Sequence, residues 1–353
     1  MRTAKVTLVT NSKNSFVLKD VEMLEQMGYR VLMIYSPAHK DPLRFIANRI
    51  REFFLSLFYL PQSVACFSWF NDYHSSIPLV ISSLFKRPFT LIVGGYDAIS
   101  SPFLNYGIFL KKNSRQRMAR WNYKNAQSIW VVHKSLGTGC PFVNSGNETQ
   151  SGITQFIPNL TTPINEIPTA YDSSFWKRNQ TKIPKTVLTV AIISDQRTFE
   201  RKGIPLFLEL ATALPDFQFT VAGIEDISLF DYTLPKNVIL LGKQTREALK
   251  DLYSSHTFYY QGSQIEGLPN VLCEAMLCEC IPIGTQVFGI PDAIGSTGRI
   301  IDSRTTTENL LSFFKNPPLE LGAKARKRIQ EYYPLKRRRD AFERTLTKPT
   351  SYA

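Results

Sequence analysis

The sequence is poor in residues that bind metals. Its 353 residues include only five cysteines and four histidines, and it contains no Asp-x-Asp triplet. The cysteines are odd in number and lack the paired spacing of zinc sites. We therefore expect a reducing compartment, and neither a metal site nor a bound cofactor.

Long apolar runs are also missing. The longest lipid-like run, Phe53–Leu60, is too short to cross a bilayer. The N-terminal segment at residues 1–11 leads directly into a predicted strand, without the apolar core of a signal peptide. These features predict a cytoplasmic protein, with a peripheral position on the inner face of the cell membrane as an open alternative.

Acidic residues are absent between Asp97 and Glu148, although this stretch is rich in lysine and arginine. Such a basic surface attracts an anionic partner, and the net charge of the chain is +13. Because no nucleic-acid-binding motif is present, we rank an anionic membrane or a lipid phosphate above nucleic acid. A solvated helix face is the alternative.

A second candidate for membrane contact is the apolar helix predicted at residues 43–60, whose arginines cluster toward its start. This pattern is typical of an interfacial amphipathic helix, and packing against the first domain explains it equally well. We predict contact with an anionic membrane through residues 43–58 and 111–124.

Short apolar strands alternate with helices along the chain. The strand Lys5–Asn11, the helix Phe16–Met27 and the strand Arg30–Tyr35 predict a doubly wound parallel sheet, and a second series begins at Lys185–Ile193. Residues 158–184, rich in Pro, Thr and Asn, mark the boundary. The predicted parts are a domain at residues 1–165, a domain at 166–335, and a helix and tail at 336–353 that pack back on the first domain.

The stretch Ser263–Thr285 carries the strongest functional signal. Glu266 and Glu274 stand on either side of a Gly-Leu-Pro-Asn turn, and Pro269 suits the first turn of a helix. The N–H groups of that turn form an anion site between the two carboxylates. This order of groups fits a sugar linked to a diphosphate, whereas two isolated glutamates would only face the helix dipole or solvent.

The same stretch resembles the signature of the retaining glycosyltransferases of family 4, the group 1 transferases. The matching residues are Glu266, Gly267, Leu268, Pro269, Asn270, Glu274, Ala275, Met276 and Pro282. The resemblance implies an α/β fold of the GT-B type, with two doubly wound Rossmann-like domains facing a cleft and a C-terminal helix crossing back to the first domain. It also implies a retaining, metal-independent hexosyltransferase that moves a sugar from a UDP- or GDP-sugar to a glycan or lipid-linked acceptor, in cell-surface polysaccharide biosynthesis.

The resemblance further implies residue roles. Glu274 would hold the ribose hydroxyls, and Glu266 would hold the donor sugar near the reacting carbon. In the family an arginine and a Lys-Gly pair hold the diphosphate; Lys202 fits by position, Arg197 is preferred as the arginine, and Arg201 is its substitute. The implied donor-binding set is Arg197, Arg201, Lys202, Gly203, Gly242, Gly267, Leu268, Pro269, Asn270, Val271 and Glu274.

The first domain departs from the family pattern. Asn11–Ser15 lacks the usual glycines, and Gly94–Asp97 lacks the usual histidine. Asp97 remains the catalytic candidate on this wall, together with Glu266, or else it only closes its loop. The alternatives are therefore an inverting GT-B enzyme with Asp97 as base, a related phosphorylase, a catalytically silent GT-B scaffold, and a basic membrane-binding protein.

Overall fold

The computed structural model describes residues 3–141, 148–224, 226–230 and 232–347, which form two compact units. Unit 1 comprises the residues up to Thr169 and those from Lys336 onward, and unit 2 is Ala170–Leu335. The predicted limits were 165/166 and 335/336. The tail at 348–353 lies outside the described residues.

Unit 1 is built on a parallel sheet of six strands in the order β2-β1-β3-β4-β6-β8, beside a short antiparallel pair, β5 and β7. Its strands are β1 (Lys5–Thr10), β2 (Arg30–Tyr35), β3 (Ser63–Trp69), β4 (Phe89–Val93), β5 (Ile99–Ser100), β6 (Ser128–Val131), β7 (Gln150–Ser151) and β8 (Ile164–Glu166). Its helices are α1 (Ser15–Gln26), α2 (Pro42–Tyr59), α3 (Tyr73–Leu84), α4 (Ser114–Asn125), α5 (Lys134–Thr138) and α6 (Ile153–Phe156). The continuous apolar run of β4 is buried throughout, as expected of a parallel strand covered on both faces.

Unit 2 contains a second parallel sheet of six strands, in the order β11-β10-β9-β12-β13-β14. Its strands are β9 (Ile183–Val190), β10 (Gln218–Ala222), β11 (Val238–Leu241), β12 (His256–Gln261), β13 (Ile281–Thr285) and β14 (Arg299–Ile301). Its helices are α7 (Gln196–Arg201), α8 (Ile204–Ala213), α9 (Arg246–Ser255), α10 (Asn270–Leu277), α11 (Ile290–Ile294), α12 (Thr307–Lys315) and α13 (Leu321–Tyr332). The two doubly wound sheets confirm the predicted fold class.

Two local predictions were wrong. The polar residues 194–201 predict a turn before α8, but the segment contains α7. The Asp195 carboxylate accepts the N–H of Thr198 at 2.7 Å and caps a helix there. The basic sequence of residues 323–339 predicts one helix, but the structure has two, α13 and α14 (Leu335–Thr347), separated at Pro334. Proline disfavours helical geometry in the residue before it and cannot donate a helix hydrogen bond.

Helix α14 packs on unit 1 through a buried ion pair, which confirms the predicted return of the last helix. Arg338 Nε lies 2.5 Å from Asp20 Oδ1, and both side chains are 2% exposed. Arg338 Nη1 also donates to the carbonyls of Ile167 and Pro168, each at 3.0 Å. Trp69 Nε1 donates to the second oxygen of Asp20 at 2.7 Å.

Helix α2 is oriented with its apolar side outward and its polar side inward. The exposed apolar side chains, between 43% and 78% exposed, are Leu43, Ile46, Ile50, Phe53, Phe54 and Phe58. Their spacing of three or four residues places them along one stripe. On the other side, Glu52 and Ser56 are buried. Across the described ranges, no helix has both the length and the apolarity needed to cross a membrane.

Candidate active site in unit 2

The donor-binding residues predicted in unit 2 follow strands that end at one edge of its sheet. Lys202 lies beyond β9, Glu266 beyond β12, and Gly242 directly after β11. Strands β9 and β12 are neighbours, whereas β11 is separated from β9 by β10. The carboxyl edge of a parallel sheet is where ligands bind in doubly wound folds. Lys202 and Glu266 therefore belong to adjacent strands, with Gly242 farther along the same edge.

Lys202 and Glu266 form a direct ion pair. Lys202 Nζ lies 2.5 Å from Glu266 Oε2, and the two side chains are 18% and 20% exposed. The Ser263 hydroxyl donates to the same carboxylate oxygen at 3.3 Å. Burial acts most strongly on Glu266 and raises its pKa, but Lys202, Arg201 and the two hydrogen bonds together hold the pKa below its ordinary value. Glu266 is therefore an ionised carboxylate at neutral pH.

The backbone around this ion pair is tightly interlocked. Gly203, directly after the lysine, has φ +70°, and a Cβ there would lie 2.0 Å from the carbonyl oxygen of Gly262. Gln264 N–H donates to the carbonyl of Arg201 at 2.8 Å. The turn that carries the lysine and the loop that carries the glutamate therefore hold each other in place, and only glycine fits at position 203.

Of the two arginines predicted for the second cation, Arg197 was preferred, but Arg201 is the one whose charge acts on Glu266. Arg197 is 47% exposed on its side chain, and its Nη2 lies 3.8 Å from Asp195 Oδ2. The charge of Arg201 lowers the pKa of Glu266. Both arginines lie on helix α7, four residues apart.

Helix α10 starts one residue later than predicted. Pro269 has φ −71° and ψ 117°, so it precedes the helix instead of forming its first turn. The first intrahelical bond runs from Cys273 N to Pro269 O at 3.4 Å, which leaves the N–H groups of residues 270–272 outside the helical pattern. Glu274, one turn farther on, is 5% exposed. Gly267 is held by its carbonyl, which accepts the N–H of Gly289 at 2.9 Å.

Glu266 is also positioned by a series of side-chain hydrogen bonds that the sequence did not predict. Gln261 Nε2 donates to the Ser263 hydroxyl at 2.8 Å, and that hydroxyl in turn reaches Glu266. Thr285 Oγ1 donates to the Ser263 carbonyl at 2.6 Å. Gln261 is the last residue of β12, and no motif in the sequence indicated its role.

Asp97 occupies a buried position in unit 1. Its side chain has no exposed surface, and its oxygens accept the N–H groups of Gly94, Gly95 and Asn71 at 3.0–3.2 Å. Burial is the strongest influence on this carboxyl and raises its pKa to about 6, against the lowering effect of these bonds. Of the two predicted roles, closing the loop is the one that this placement supports, because a catalytic carboxylate has to reach the reacting atoms.

Potential metal ligands are scattered in the described part of the chain. No group of three or more His, Cys, Asp or Glu residues there is placed to hold a metal ion. The cations around Glu266 are lysine and arginine side chains.

Comparisons with known proteins agree with this description. Residues 176–333 match the family "Glycosyl transferases group 1". A Saccharomyces cerevisiae protein, the GPI3 subunit of phosphatidylinositol N-acetylglucosaminyltransferase, is 23% identical over 317 residues, which cover 82% of this chain and 68% of the relative. The corresponding Schizosaccharomyces pombe subunit is 24% identical over 306 residues, covering 80% of this chain and 64% of the relative.

Two solved structures share the fold along nearly the whole chain. HepE from Anabaena, in complex with UDP and glucose, has a TM-score of 0.69 at 13% identity, covering 99% of this chain and 100% of its own. Sucrose-phosphate synthase from Thermosynechococcus elongatus has a TM-score of 0.68 at 13% identity, covering 97% and 98%. We conclude that residues 176–333 match the group 1 glycosyltransferases, and that the chain has a GT-B fold.

Proposed function

We propose that the chain transfers a sugar, with retention at the anomeric carbon, from a UDP- or GDP-sugar to a hydroxyl of a glycan or lipid-linked acceptor. The observation that carries this proposal is the Lys202–Glu266 ion pair, which lies on strands adjacent in the sheet and in the same loop region as the start of α10. A lysine and helix N–H groups are donors for a diphosphate, and two carboxylates accept sugar hydroxyls. In this role the pair opens as the donor enters.

A second feature supports a ligand at the start of α10. The Asn270 side-chain oxygen is buried and has no hydrogen-bond partner within the described residues. An unmatched buried acceptor costs about 1–3 kcal/mol, which a donor group on a ligand would recover. We propose that this oxygen accepts a hydroxyl of the bound nucleotide sugar.

We propose that the reaction follows the face from which the diphosphate leaves. The acceptor oxygen bonds to the anomeric carbon, the bond from that carbon to the phosphate oxygen breaks, and its electron pair leaves with the diphosphate. The acceptor proton passes to a phosphate oxygen. Lys202, Arg201 and the N–H groups of residues 270–272 stabilise the departing charge without a metal ion. Glu266 stays a carboxylate near the reacting carbon.

The alternative route to retention is a covalent intermediate on Glu266. The ion pair with Lys202 supports the first route, because it stabilises the carboxylate and so makes it a weaker nucleophile. Mass spectrometry of rapidly quenched enzyme distinguishes them, since a glycosylated peptide containing Glu266 would establish the covalent route. An inverting reaction finds little support, because Asp97, its predicted base, is buried.

The names of the relatives support particular substrates. UDP is present in the HepE structure, and the yeast relative is named for N-acetylglucosamine transfer to phosphatidylinositol. We therefore propose UDP-N-acetylglucosamine as the first donor to test, with GDP-sugars as the comparison. For the acceptor we propose a lipid-linked glycan or lipid headgroup, in the synthesis of a cell-surface polysaccharide.

A donor screen followed by product analysis tests the function. We expect one nucleotide sugar to raise the Tm, since ligand at about 100 times its Kd stabilises a protein by about 2.7 kcal/mol. The product should keep the anomeric configuration of the donor. An inverted product would refute retention. Absence of binding to every UDP- and GDP-sugar would favour the catalytically silent scaffold.

We also propose that the enzyme works peripherally on an anionic membrane, on the cytoplasmic face. The exposed apolar stripe of α2 supports this, as do Val80 and Leu84 on α3, which are 52% and 71% exposed. Residues 111–124 add exposed basic side chains. Each basic residue near an anionic leaflet contributes about 1 kcal/mol, and each inserted apolar side chain adds hydrophobic burial.

A further inference from the structure

Unit 1 has a pocket of its own at the carboxyl ends of β1, β2 and β3. Its volume is about 330 Å³. The residues that matter to its chemistry are Asn11, His39, Phe45, Arg49, Tyr73 and Arg115. The carboxyl edge of a parallel sheet is a ligand position, and the volume lies at the small end of the range for ligand pockets. The pocket therefore has room for one group the size of a monosaccharide.

One of the two arginines is fixed by a buried carboxylate. Arg115 Nε donates to Asp72 Oδ1 at 2.7 Å, and its Nη2 donates to the other carboxylate oxygen. Arg115 Nη1 donates to the Tyr96 hydroxyl at 2.9 Å. Three of the five N–H bonds of the guanidinium are thereby used, so the group is held rigidly and keeps two donors. A rigid guanidinium loses little entropy when it binds an oxyanion.

The other arginine carries donors that the protein does not satisfy. Arg49 donates through Nη2 to the Ser36 hydroxyl, and this nitrogen lies 2.9 Å from Glu52 Oε2. Within the described residues, Nε and Nη1 of Arg49 are buried without a hydrogen-bond partner. Buried charged donors without partners are costly, so this guanidinium is suited to an additional acceptor.

The charge of Arg49 is also only partly balanced. Glu52 is 1% exposed, and burial, opposed by Arg49, raises its pKa to about 8. The raised pKa favours the neutral form of Glu52, which leaves more of the positive charge of the guanidinium in place. The pocket is basic despite the two carboxyl groups beside it.

An aromatic wall completes the pocket. Phe45 and Tyr73 meet edge to face, with ring centroids 5.1 Å apart, and the Arg49 guanidinium lies 5.2 Å from the Phe45 ring. Aromatic faces pack against the C–H surface of small rings, whereas guanidinium groups pair with phosphate or carboxylate oxygens.

We propose that this pocket binds the phosphate or carboxylate of a small ligand through Arg49 and Arg115, and that in the proposed function this ligand is the acceptor. The identity of the ligand as the acceptor rests on the proposed function. The binding of an anion by Arg49 and Arg115 rests on the pocket alone. The anion belongs either to a lipid headgroup or to a soluble sugar phosphate, which share the chemistry that the arginines recognise.

Calorimetry with glycerol 1-phosphate, and with glycerol as the uncharged comparison, tests the pocket. We expect the wild type to bind only the phosphate, and Arg49→Gln to bind it at least about tenfold more weakly, the loss of one charged hydrogen bond. Arg44→Gln is the matched control, because Arg44 is exposed on the same helix and does not line the pocket. Arg49→Lys keeps the charge without the planar group and should bind with intermediate affinity.

Two outcomes would overturn the proposal: no saturable binding of glycerol 1-phosphate to the wild type, or equal losses in Arg49→Gln and Arg44→Gln. Competitors then identify the source of the anion. Glucose 6-phosphate displaces the probe if the ligand is soluble, and phosphatidylglycerol in phosphatidylcholine vesicles displaces it if the ligand is a lipid. UDP binding is measured in the same variants. If UDP does not bind but glycerol 1-phosphate does, the donor site is refuted and the anion pocket stands. If UDP binds normally but glycerol 1-phosphate does not, only the pocket is refuted.

Discussion

At the scale of single residues, Lys202 differs from a surface lysine in its surroundings. Its ion pair with Glu266 measures 2.5 Å with both partners about one-fifth exposed. Lys324 and Glu320 in the same unit are 3.7 Å apart and 60% and 61% exposed. Exposed pairs of the second kind contribute at most about 1 kcal/mol, because water and salt screen them.

The first prediction uses this contrast. We expect Lys202→Ala to lower kcat by about 10²–10³-fold, the effect of removing one preorganised group that stabilises a leaving charge. Lys324→Ala should leave transfer unchanged. The measurement is sugar transfer at saturating donor, with circular dichroism to verify folding. Full turnover by the folded Lys202→Ala protein would remove Lys202 from the site.

The second prediction concerns Asp97. Its carboxylate accepts three backbone N–H groups in the core of unit 1. We expect Asp97→Asn to lower the free energy of unfolding by about 1–3 kcal/mol, because the amide nitrogen cannot accept a hydrogen bond. The kcat per folded molecule should not change. A loss of kcat without a loss of stability would instead support the catalytic role.

At the scale of elements, α2 shows that an amphipathic pattern does not reveal which side of a helix faces the core. The sequence predicted the apolar stripe and left its direction open. In the structure Glu52 and Ser56 are buried, and the stripe is exposed. Helix α2 packs mainly against α3 and also against β2.

The third prediction tests the exposed stripe with vesicles. We expect Phe54→Ser with Phe58→Ser to reduce binding to phosphatidylglycerol-containing vesicles at least about tenfold, since a buried Phe contributes about 1.5–3 kcal/mol. The Tm should hardly change, because both side chains are exposed. Leu319→Ser in unit 2, where the leucine is 69% exposed, is the control. Unchanged vesicle binding would refute the membrane contact.

At the scale of the whole molecule, helix α14 completes unit 1, although the residues of unit 2 separate it in sequence from the rest of that unit. Arg338 anchors this helix, and its guanidinium lies 5.3 Å from the Trp69 ring and 5.6 Å from the Phe342 ring. Its charge is balanced by Asp20. The closure of a chain segment this long is entropically costly, so the packing of α14 has to compensate for it.

The fourth prediction is a mutant cycle at this pair. Arg338→Met should lower the free energy of unfolding by about 3–5 kcal/mol, because it leaves Asp20 buried without its partner. Asp20→Asn combined with Arg338→Met should recover part of the loss. Urea unfolding followed by tryptophan fluorescence reports on it, since Trp69 contacts Asp20. Lys336→Met, 85% exposed on the same helix, is the control. If Arg338→Met and the double variant have equal free energies of unfolding, Asp20 and Arg338 are not coupled.

The sequence by itself determined the two doubly wound sheets and the glutamate-rich stretch of unit 2. The apolar run Phe89–Val93 coincides with β4, because a strand buried on both faces has a largely apolar pattern. The Gly-Leu-Pro-Asn turn likewise requires local backbone geometry, which residue types reveal. The start of α10 was therefore predicted to within one residue.

The tertiary structure alone decided which side chains meet. It joined Lys202 to Glu266 across 64 positions of sequence and buried Asp97. It also assembled the pocket of unit 1 from residues between Asn11 and Arg115. The physical reason is that local pattern fixes the geometry of each element, whereas long-range pairing and burial depend on how the elements pack.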